Sequence, residues 1–237
     1  MSLTDYTLDG TVAVVSLNSG ENKLNLAFVN SFMKTLDDIE TSTNANALVV
    51  TSTHEKIFSN GLDLDWVVPT INSGNLAAFT EFIIGLVNLY RRILMFPMPT
   101  VVAVNGHAFA GGAILTCYFD YRFMRSDRGF MCFPEVDLGI PFLPGMMAAM
   151  RHVIPVNVLT SMILEGRRLT GIECEENRIV TRALPNETLF GEALAFAKTI
   201  NKRREIIFEI KKELYKDIVY AIDVEDPKVI ASGRFNV

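Results

Sequence analysis

The feature that most constrains the fold of this chain is a series of short apolar runs that alternate with helical patterns in its first half. The runs Thr11–Leu17, Ala47–Thr51 and Thr100–Val104 are rich in β-branched residues, which predicts strands. Between them, apolar residues recur at helical spacing over Leu26–Ile39 and Leu76–Leu94. Uninterrupted apolar strands are typical of parallel sheets covered on both faces. The first half therefore predicts a parallel α/β sheet.

The second half of the chain shows mainly helical patterns. After short predicted strands at Tyr121–Met124 and Phe130–Phe133, helices are predicted at Leu143–His152, Val156–Leu164, Gly171–Asn177, Thr188–Ile200 and Glu205–Val219. With 237 residues, of which 49% are apolar, the chain can form one large domain or one domain with a small appendage. The whole pattern predicts an α/β core followed by a helical C-terminal part.

Charge, hydropathy and cysteine spacing exclude several classes of protein. The net charge of −5 gives no broad basic field for nucleic acid. The most apolar stretch, Ile93–Val104, is interrupted by Pro97 and Pro99, so no membrane insertion is expected. Met1–Gly10 does not resemble a signal peptide, and Phe235–Val237 is not a peroxisomal signal of the Ser-Lys-Leu type. Three cysteines without a C-x-x-C pattern are expected to be reduced. We expect a soluble cytoplasmic protein.

The first candidate site is the polar segment Phe58–Leu64, which follows the predicted strand Ala47–Thr51. Ligands of open α/β sheets collect at the carboxyl ends of the strands. Gly61 can adopt a backbone conformation that other residues avoid, which would leave the N–H of Leu62 free to donate to a ligand. An ordinary Asn-Gly turn explains the same residues without any ligand.

The second candidate site is the small-residue segment Asn105–Ala113, which follows the predicted strand Thr100–Val104 and opens a helix. Its tiny residues would let a ligand approach backbone N–H groups at the positive end of that helix. It is not a P-loop, because Gly112-Ala113 stands where Lys-Ser/Thr is required. It is not a dinucleotide fingerprint either, because Ala108 replaces a required glycine. Close packing of helix against strand remains an alternative explanation.

The third candidate site is Glu135, a carboxylate among apolar residues. Its neighbours in sequence include Met131, Phe133, Val136, Leu138, Ile140 and Phe142. Burial among such residues would disfavour the ionised form and raise the pKa of Glu135 towards neutrality, which suits proton transfer. A glutamate at a helix N-terminus or in a salt bridge is the commoner alternative.

Other chemistries find little support in the sequence. The histidines His54, His107 and His152 lack the spacing of metal ligands, and no G-x-S-x-G motif is present, so neither a metal site nor a serine hydrolase is expected. The basic residues Lys202-Arg203-Arg204, Lys211 and Lys212 alternate with glutamates. A solvated helix face with intrahelical ion pairs explains this alternation without a ligand.

Taken in order, the three candidate segments resemble the crotonase (enoyl-CoA hydratase/isomerase) superfamily. Phe58–Leu64 is similar to its F-x-x-G-x-D-[LI] motif, Asn105–Ala113 to its segment from Asn-Gly to a glycine run, and Pro134-Glu135 to its later P-E pair. Cys117–Arg122 is similar to its C-D-x-R stretch, and Asn22–Asn25 to a turn that contacts coenzyme A. The resemblance extends from about residue 11 to residue 180. It implies a crotonase/ClpP-like spiral of ββα units with a helical C-terminal region.

The resemblance also implies roles for single residues. The N–H groups of Leu62 and Gly111 would form an oxyanion hole that binds the enolate oxygen of an acyl-CoA thioester. Hydratases of the superfamily use two glutamates, but here Ile114 occupies the first position and only Glu135 remains. One carboxylate can carry a proton but cannot readily position water. The sequence therefore most resembles a monofunctional Δ3,Δ2-enoyl-CoA isomerase in which Glu135 is the catalytic residue. The stretch Asp120–Leu138 also resembles plant-type members of that group.

The remaining implications concern binding and assembly. The predicted substrate contacts are Lys23, Leu24, Ser59, Gly61, Asp63, Gly112 and Pro134, and the coenzyme phosphates are expected near Lys23 or near Lys211 and Lys212 of a neighbouring subunit. No cofactor is expected, because coenzyme A is part of the substrate. Residues 1–182 would form the spiral core and residues 183–237 a helical oligomerisation region of a homotrimer or dimer of trimers. A hydratase, a thioester hydrolase, a decarboxylase and a non-catalytic acyl-CoA-binding protein are the alternatives.

The C-terminal part departs from the superfamily pattern at one position. Arg178 occupies the place of a usual glycine before Ile179-Val180. The predicted C-terminal helices are also short, which weakens the expectation of trimer contacts.

Overall fold

The structure, a computed structural model, describes residues 2–233, so Phe235–Val237 lies outside the described residues. The strands are β1 Thr4–Asp9, β2 Val12–Leu17, β3 Ala47–Ser52, β4 Ile57–Ser59, β5 Thr100–Val104, β6 His107–Phe109, β7 Tyr121–Arg125, β8 Met131–Cys132 and β9 Arg182–Leu184. The helices are α1 Leu26–Ser42, α2 Leu64–Asn72, α3 Leu76–Leu94, α4 Gly111–Thr116, α5 Glu135–Leu138, α6 Pro144–Val153, α7 Val156–Leu164, α8 Gly171–Glu176, α9 Asn186–Thr199, α10 Arg204–Leu214, α11 Lys216–Tyr220 and α12 Asp226–Ala231. A π-helical turn, Ala221–Glu225, joins α11 to α12.

The strands form two sheets, and the chain alternates between them. The larger, six-stranded sheet has the order β1-β2-β3-β5-β7-β9 and is parallel except for the β1–β2 pair. The smaller, three-stranded sheet has the order β4-β6-β8 and is parallel throughout. Each of the pairs β3–β4, β5–β6 and β7–β8 therefore places one strand in each sheet before a helix follows. This is the predicted spiral of ββα units, and the prediction is confirmed.

The larger sheet is covered on both faces, which explains the uninterrupted apolar runs. Alternate residues of a strand point to opposite faces. In β3, Leu48 and Val50 belong to the main core, which includes α1 and α3. Ala47 and Val49 belong to a second cluster, which packs against α9. The helix α9, from the C-terminal part of the chain, thus covers the second face of the larger sheet.

Three predictions about secondary structure differ from the structure. The polar segment that begins at Phe58, for which no strand is predicted, overlaps β4, and the C-terminal part, predicted to be helical, contains β9. Both strands have three residues, too few for a hydrophobic period to be recognisable. The proposed boundary after residue 182 falls inside β9. The predicted helix Glu205–Val219 is two helices, α10 and α11, separated at Tyr215.

The expectation that Lys211 meets a coenzyme phosphate is also wrong. Lys211 is 3% exposed, and its ammonium group pairs with the carboxylate of Asp120 at 2.7 Å. It also donates to the backbone oxygen of Met98 at 3.1 Å. Lys211 therefore does not belong to the solvated face of α10 and instead attaches that helix to the core. Lys212 conforms to the expectation of a surface pair, since it contacts Glu209 at 2.7 Å.

Arg178, which occupies the place of a usual glycine, has a backbone conformation that favours glycine. Its φ of 58° lies in the left-handed region, where a glycine carries no steric penalty.

Among residues 2–233, no helix combines the length and the apolar character needed to cross a membrane.

Candidate active site

Three consecutive turns of the spiral bring the three candidate segments to one place. Asn60–Leu62 follows β4, Ala110-Gly111 follows β6, and Phe133–Glu135 follows β8. Because these strands are neighbours in one parallel sheet, their carboxyl ends lie along the same edge. In the sequence analysis, the first two segments follow predicted strands that belong to the larger sheet. In the structure, the strands directly before them, β4 and β6, belong to the smaller sheet. The three segments line one cavity.

The N–H of Leu62 is left unpaired by a short parallel bridge to Leu24. The N–H of Leu24 donates to the oxygen of Gly61 at 2.7 Å, and the N–H of Asp63 donates to the oxygen of Leu24 at 2.9 Å. These two bonds use the residues on either side of Leu62, so its own N–H faces away from Leu24. Within the described chain, this N–H has no hydrogen-bond acceptor.

The N–H of Gly111 is a second donor of the same kind. Gly111 is the first residue of α4, so its N–H has no partner within the helix. No acceptor for it lies among residues 2–233. The preceding Ala110 has φ 49° and ψ −129°, which is unfavourable for a residue with a side chain. Strain of this kind is maintained by the surrounding structure and clusters at functional sites.

Glycines allow the two donors to approach each other. A Cβ atom at Gly61 would lie 2.9 Å from the nitrogen of Gly111 and 2.7 Å from the oxygen of Phe109, and Gly61 has φ 77°. A Cβ atom at Gly112 would lie 2.5 Å from the oxygen of Ser59. Close packing is therefore the role of Gly61 and Gly112, and this packing brings the Leu62 and Gly111 segments together. In the pair Gly111-Gly112, close packing therefore explains Gly112, whereas an N–H group available to a ligand explains Gly111.

Glu135 is a buried carboxylate with unused hydrogen-bonding capacity. It is 4% exposed, and its Oε2 atom has no hydrogen-bond partner in the described structure. Burial raises the pKa of Glu135 from 4.5 to about 7. At neutral pH it can therefore both accept and release a proton.

The cavity that contains Glu135 is narrow and mainly apolar. It encloses about 60 Å³, and its apolar lining comprises Leu62, Leu64, Ile83, Leu86, Ile114, Leu138, Ile140, Pro141, Phe142 and Met146. The polar side chains in its described lining are Asn60, Tyr90 and Glu135. Ile114, which is 2% exposed, lies where a second carboxylate was expected in a hydratase. Glu135 is thus the only carboxylate in the described lining.

A wider groove of about 520 Å³ continues the cavity towards the surface. The groove and the cavity share Leu62, Leu64, Ala110 and other residues. The predicted contacts Lys23 and Pro134 line the groove, where Lys23 pairs with Asp65 at 2.7 Å.

Arg168 also lines this groove, and the sequence analysis did not identify it. Its guanidinium group lies 5.5 Å from the centre of the Phe109 ring. The sequence shows only a pair of adjacent arginines, and their distance along the chain from the other segments gives no signal of this position.

The other residues predicted to contact the substrate lie behind the lining of the cavity and the groove. Leu24, Ser59, Gly61, Asp63 and Gly112 line neither the cavity nor the groove. The hydroxyl of Ser59 donates to the oxygen of Asn22 at 2.7 Å and accepts from the N–H of Gly61. Leu24 and Gly112 are fully buried, so their contribution is to hold the backbone of the two donor segments.

Comparison with known proteins decides the family. The chain matches the Enoyl-CoA hydratase/isomerase family over residues 7–225. It belongs to this family. The oxyanion-hole role that the crotonase resemblance implies for the N–H groups of Leu62 and Gly111 stays a prediction.

Similar proteins with descriptions of function include isomerases and hydratases. Enoyl-CoA delta isomerase 3 of Arabidopsis thaliana is 29% identical, with 86% of this chain and 88% of that protein covered. A putative enoyl-CoA hydratase of Thermus thermophilus is 32% identical, with 86% and 80% covered. The family is shown by these relatives, and the choice between isomerase and hydratase is not.

Solved structures show the same fold. A structure described as an enoyl-CoA isomerase of Mycobacterium tuberculosis has a TM-score of 0.86 at 21% identity, with 98% of both chains covered. An enoyl-CoA hydratase/isomerase family protein of Pseudomonas syringae has a TM-score of 0.87 at 24% identity, with 97% of both chains covered. The crotonase fold is thereby confirmed.

Proposed function

We propose that this protein is a Δ3,Δ2-enoyl-CoA isomerase. The observation that carries the proposal is the composition of the cavity, whose described lining contains one carboxylate, Glu135, beside two unpaired N–H donors. An isomerase needs one group that takes a proton and gives it back, and an electrostatic site for the intermediate. Both requirements are met here by residues on three adjacent turns of the spiral.

The reaction follows from this geometry. The Glu135 carboxylate removes a proton from carbon 2 of a 3-enoyl thioester, and the electron pair of the C–H bond moves towards the carbonyl. The resulting enolate oxygen accepts hydrogen bonds from the Leu62 and Gly111 N–H groups. Glu135 then returns the proton to carbon 4, so the double bond ends between carbons 2 and 3. A pKa of about 7 lets Glu135 perform both steps without a second acid.

Two further observations support an isomerase rather than a hydratase. Ile114 offers no oxygen atom to a water molecule, so a water would meet a single carboxylate, Glu135, in the described lining instead of a pair. Relatives with isomerase names in Arabidopsis thaliana cover most of the chain at 29% identity. The narrow cavity would receive the acyl group, and the wider groove would receive the coenzyme, with Lys23 and Arg168 as its cations.

The first experiment follows formation of a conjugated 2-enoyl thioester from trans-3-hexenoyl-CoA by ultraviolet absorbance. Glu135→Gln should lower kcat by a factor of about 10²–10⁴, the usual contribution of general acid–base catalysis. Binding of the thioester, measured by calorimetry, should change little, because the amide is almost the same size. Asp137→Asn is the matched control, since Asp137 lies on the same short helix but is exposed. Equal turnover by wild type and Glu135→Gln would refute the proposed role.

Hydration, thioester hydrolysis and decarboxylation are the alternative reactions on the same hole. Incubation with trans-2-hexenoyl-CoA separates hydration, because water addition removes the conjugated absorbance. Free thiol release reports thioester hydrolysis, and a 2-carboxyacyl-CoA substrate tests decarboxylation. Binding without turnover in all these assays would instead identify a non-catalytic acyl-CoA-binding protein.

Assembly and location stay predictions. A homotrimer or dimer of trimers, a cytoplasmic location and independence from added cofactors follow from the resemblance and the sequence alone. Sedimentation of the purified protein tests the first, and fluorescence microscopy of the tagged full chain tests the second. Turnover after exhaustive dialysis against chelator tests the third.

A further inference from the structure

Tyr90 is a buried polar residue of the cavity that the proposed reaction does not use. It lies in α3, is 1% exposed and lines the cavity beside Glu135. Its ring stacks on that of Tyr118, with centroids 4.6 Å apart and an interplanar angle of 14°. Such stacking inside a close-packed core leaves the phenol ring little freedom.

The hydroxyl of Tyr90 contacts the backbone of Gly111. It donates a hydrogen bond to the oxygen of Gly111 at 3.0 Å. The N–H and the carbonyl of Gly111 are attached to one Cα atom that carries no side chain, so this residue has wide backbone freedom. A bond that fixes the carbonyl therefore limits the rotations that would turn the N–H away from a bound oxyanion.

The backbone around Gly111 needs such support. The preceding Ala110 has a positive φ of 49°, and α4 extends over only six residues. Strained residues persist only where surrounding contacts hold them, and a short helix supplies few backbone hydrogen bonds for that purpose. Tyr90 adds a contact from a different element, the long helix α3.

We propose that Tyr90 is a positioning residue that holds the Gly111 donor of the oxyanion hole through its hydrogen bond to the Gly111 carbonyl. This inference rests on the proposed oxyanion hole. A second consequence concerns Glu135, because the single phenol proton is committed to Gly111 and is not shared with the carboxylate. The Oε2 atom of Glu135 remains without a partner, which preserves its capacity to accept a proton. Burial, with the nearby charge of Glu135, raises the pKa of Tyr90 well above its usual value, so the phenol remains a donor at working pH.

Tyr90→Phe tests the inference because it removes the hydroxyl and keeps the ring. With trans-3-hexenoyl-CoA as substrate, kcat should fall about tenfold, as expected for one lost hydrogen bond, while KM stays within about twofold. Tyr118→Phe is the matched control, since Tyr118 belongs to the same stacked pair but is absent from the cavity lining. It should retain wild-type kcat.

A readout independent of turnover is the enolate of bound acetoacetyl-CoA, which absorbs in the near ultraviolet. Tyr90→Phe should raise the apparent pKa of the bound ligand by about one unit, which again corresponds to one hydrogen bond. If the wild-type protein binds acetoacetyl-CoA but the bound ligand is no more enolised than the free ligand, the proposed hole is refuted. Equal enolate fractions in wild type and Tyr90→Phe would refute only the positioning role of Tyr90.

A second variant keeps the test decisive if Tyr90→Phe does not fold. Incorporation of 3-fluorotyrosine at position 90 retains the hydroxyl and makes it a stronger donor. The enolate fraction should then exceed that of wild type, and an unchanged or lower fraction in the folded protein would refute the positioning role of Tyr90. Thermal unfolding of each variant shows which protein is measured in its folded form.

Discussion

The side chains of Asp120 and Glu135 are both largely shielded from solvent, and their hydrogen-bond partners differ. The Asp120 carboxylate accepts hydrogen bonds from the backbone N–H of Thr100, the ammonium of Lys211 and the hydroxyl of Tyr215, each at 2.7 Å. The Oε2 atom of Glu135 accepts none within the described structure. The first carboxylate fastens α10 and the residue after it to the sheet, and the second faces a cavity.

The difference shows how one chemical group serves either stability or reactivity. A buried charge that is paired and hydrogen-bonded holds its elements together, because removing its partner would leave an uncompensated charge. A buried carboxylate without partners has two protonation states of similar free energy near neutral pH, which is the property a proton carrier needs. The Leu62 and Gly111 N–H groups follow the same rule, because donors already used in the structure could not bind an enolate. At the cavity, the N–H groups of Leu62 and Gly111 and the Oε2 atom of Glu135 thus have no hydrogen-bond partner in the described structure.

The largest effect is expected at the paired carboxylate. Lys211→Met removes the cation and leaves Asp120 buried, so the free energy of unfolding should fall by about 3–5 kcal/mol in urea denaturation. The kcat of the folded variant should remain near that of wild type. Lys212→Met is the matched control, because its partner Glu209 is exposed, and it should lose less than about 1 kcal/mol. Similar losses in both variants would abolish the distinction between the two regions.

A slightly smaller effect, on activity instead of stability, is expected at the unpaired donor. Gly111→Pro deletes an N–H that no group of the described structure uses, so kcat should fall by a factor of about 10²–10³. Gly111→Ala keeps the N–H and is the control. Its Cβ atom would lie 3.2 Å from the Cδ1 atom of Leu24, which is the end of a flexible side chain. Comparable activity of the proline and alanine variants would show that this donor is not part of the hole.

The smallest effect concerns the pH dependence of stability. The pKa of Glu135 is raised to about 7 in the folded protein, so its ionisation destabilises the fold progressively above the pKa of the unfolded chain. Glu135→Gln removes that cost. Its free energy of unfolding relative to wild type should therefore rise by about 3 kcal/mol between about pH 4 and about pH 8. A constant difference between the two proteins over this range would mean that Glu135 is already neutralised by a partner.

Long periodic patterns allowed much of the fold to be predicted. The predicted elements Leu76–Leu94, Thr100–Val104 and Val156–Leu164 have the observed bounds, because each is uninterrupted and flanked by clear breakers. The strands β4 and β6 escaped recognition, since three residues do not establish a period. The smaller sheet that positions the site was therefore invisible as a sheet, although its following loops were found by their motifs.

The candidate site was predictable where neighbours in sequence are also neighbours in space. Apolar residues around Glu135 indicated its burial, and burial is what raises its pKa. The bond from Tyr90 to Gly111 joins two elements that carry no sequence signal of their meeting. The alternation of charges along α10 likewise does not reveal that Lys211, unlike Lys212, turns inward to Asp120. Such contacts depend on tertiary packing and not on local periodicity.

The alternation of strands between two sheets has a consequence for how such an enzyme can change during evolution. The two donors and the proton carrier come from separate turns of the spiral, after β4, β6 and β8. The donors are backbone groups, so their presence depends on the path of the chain and tolerates many side chains. A carboxylate could therefore be gained or lost on one turn without dismantling the proposed hole on the others. In the proposed mechanism, a scaffold of this kind could exchange reactions while the thioester carbonyl keeps the same binding place.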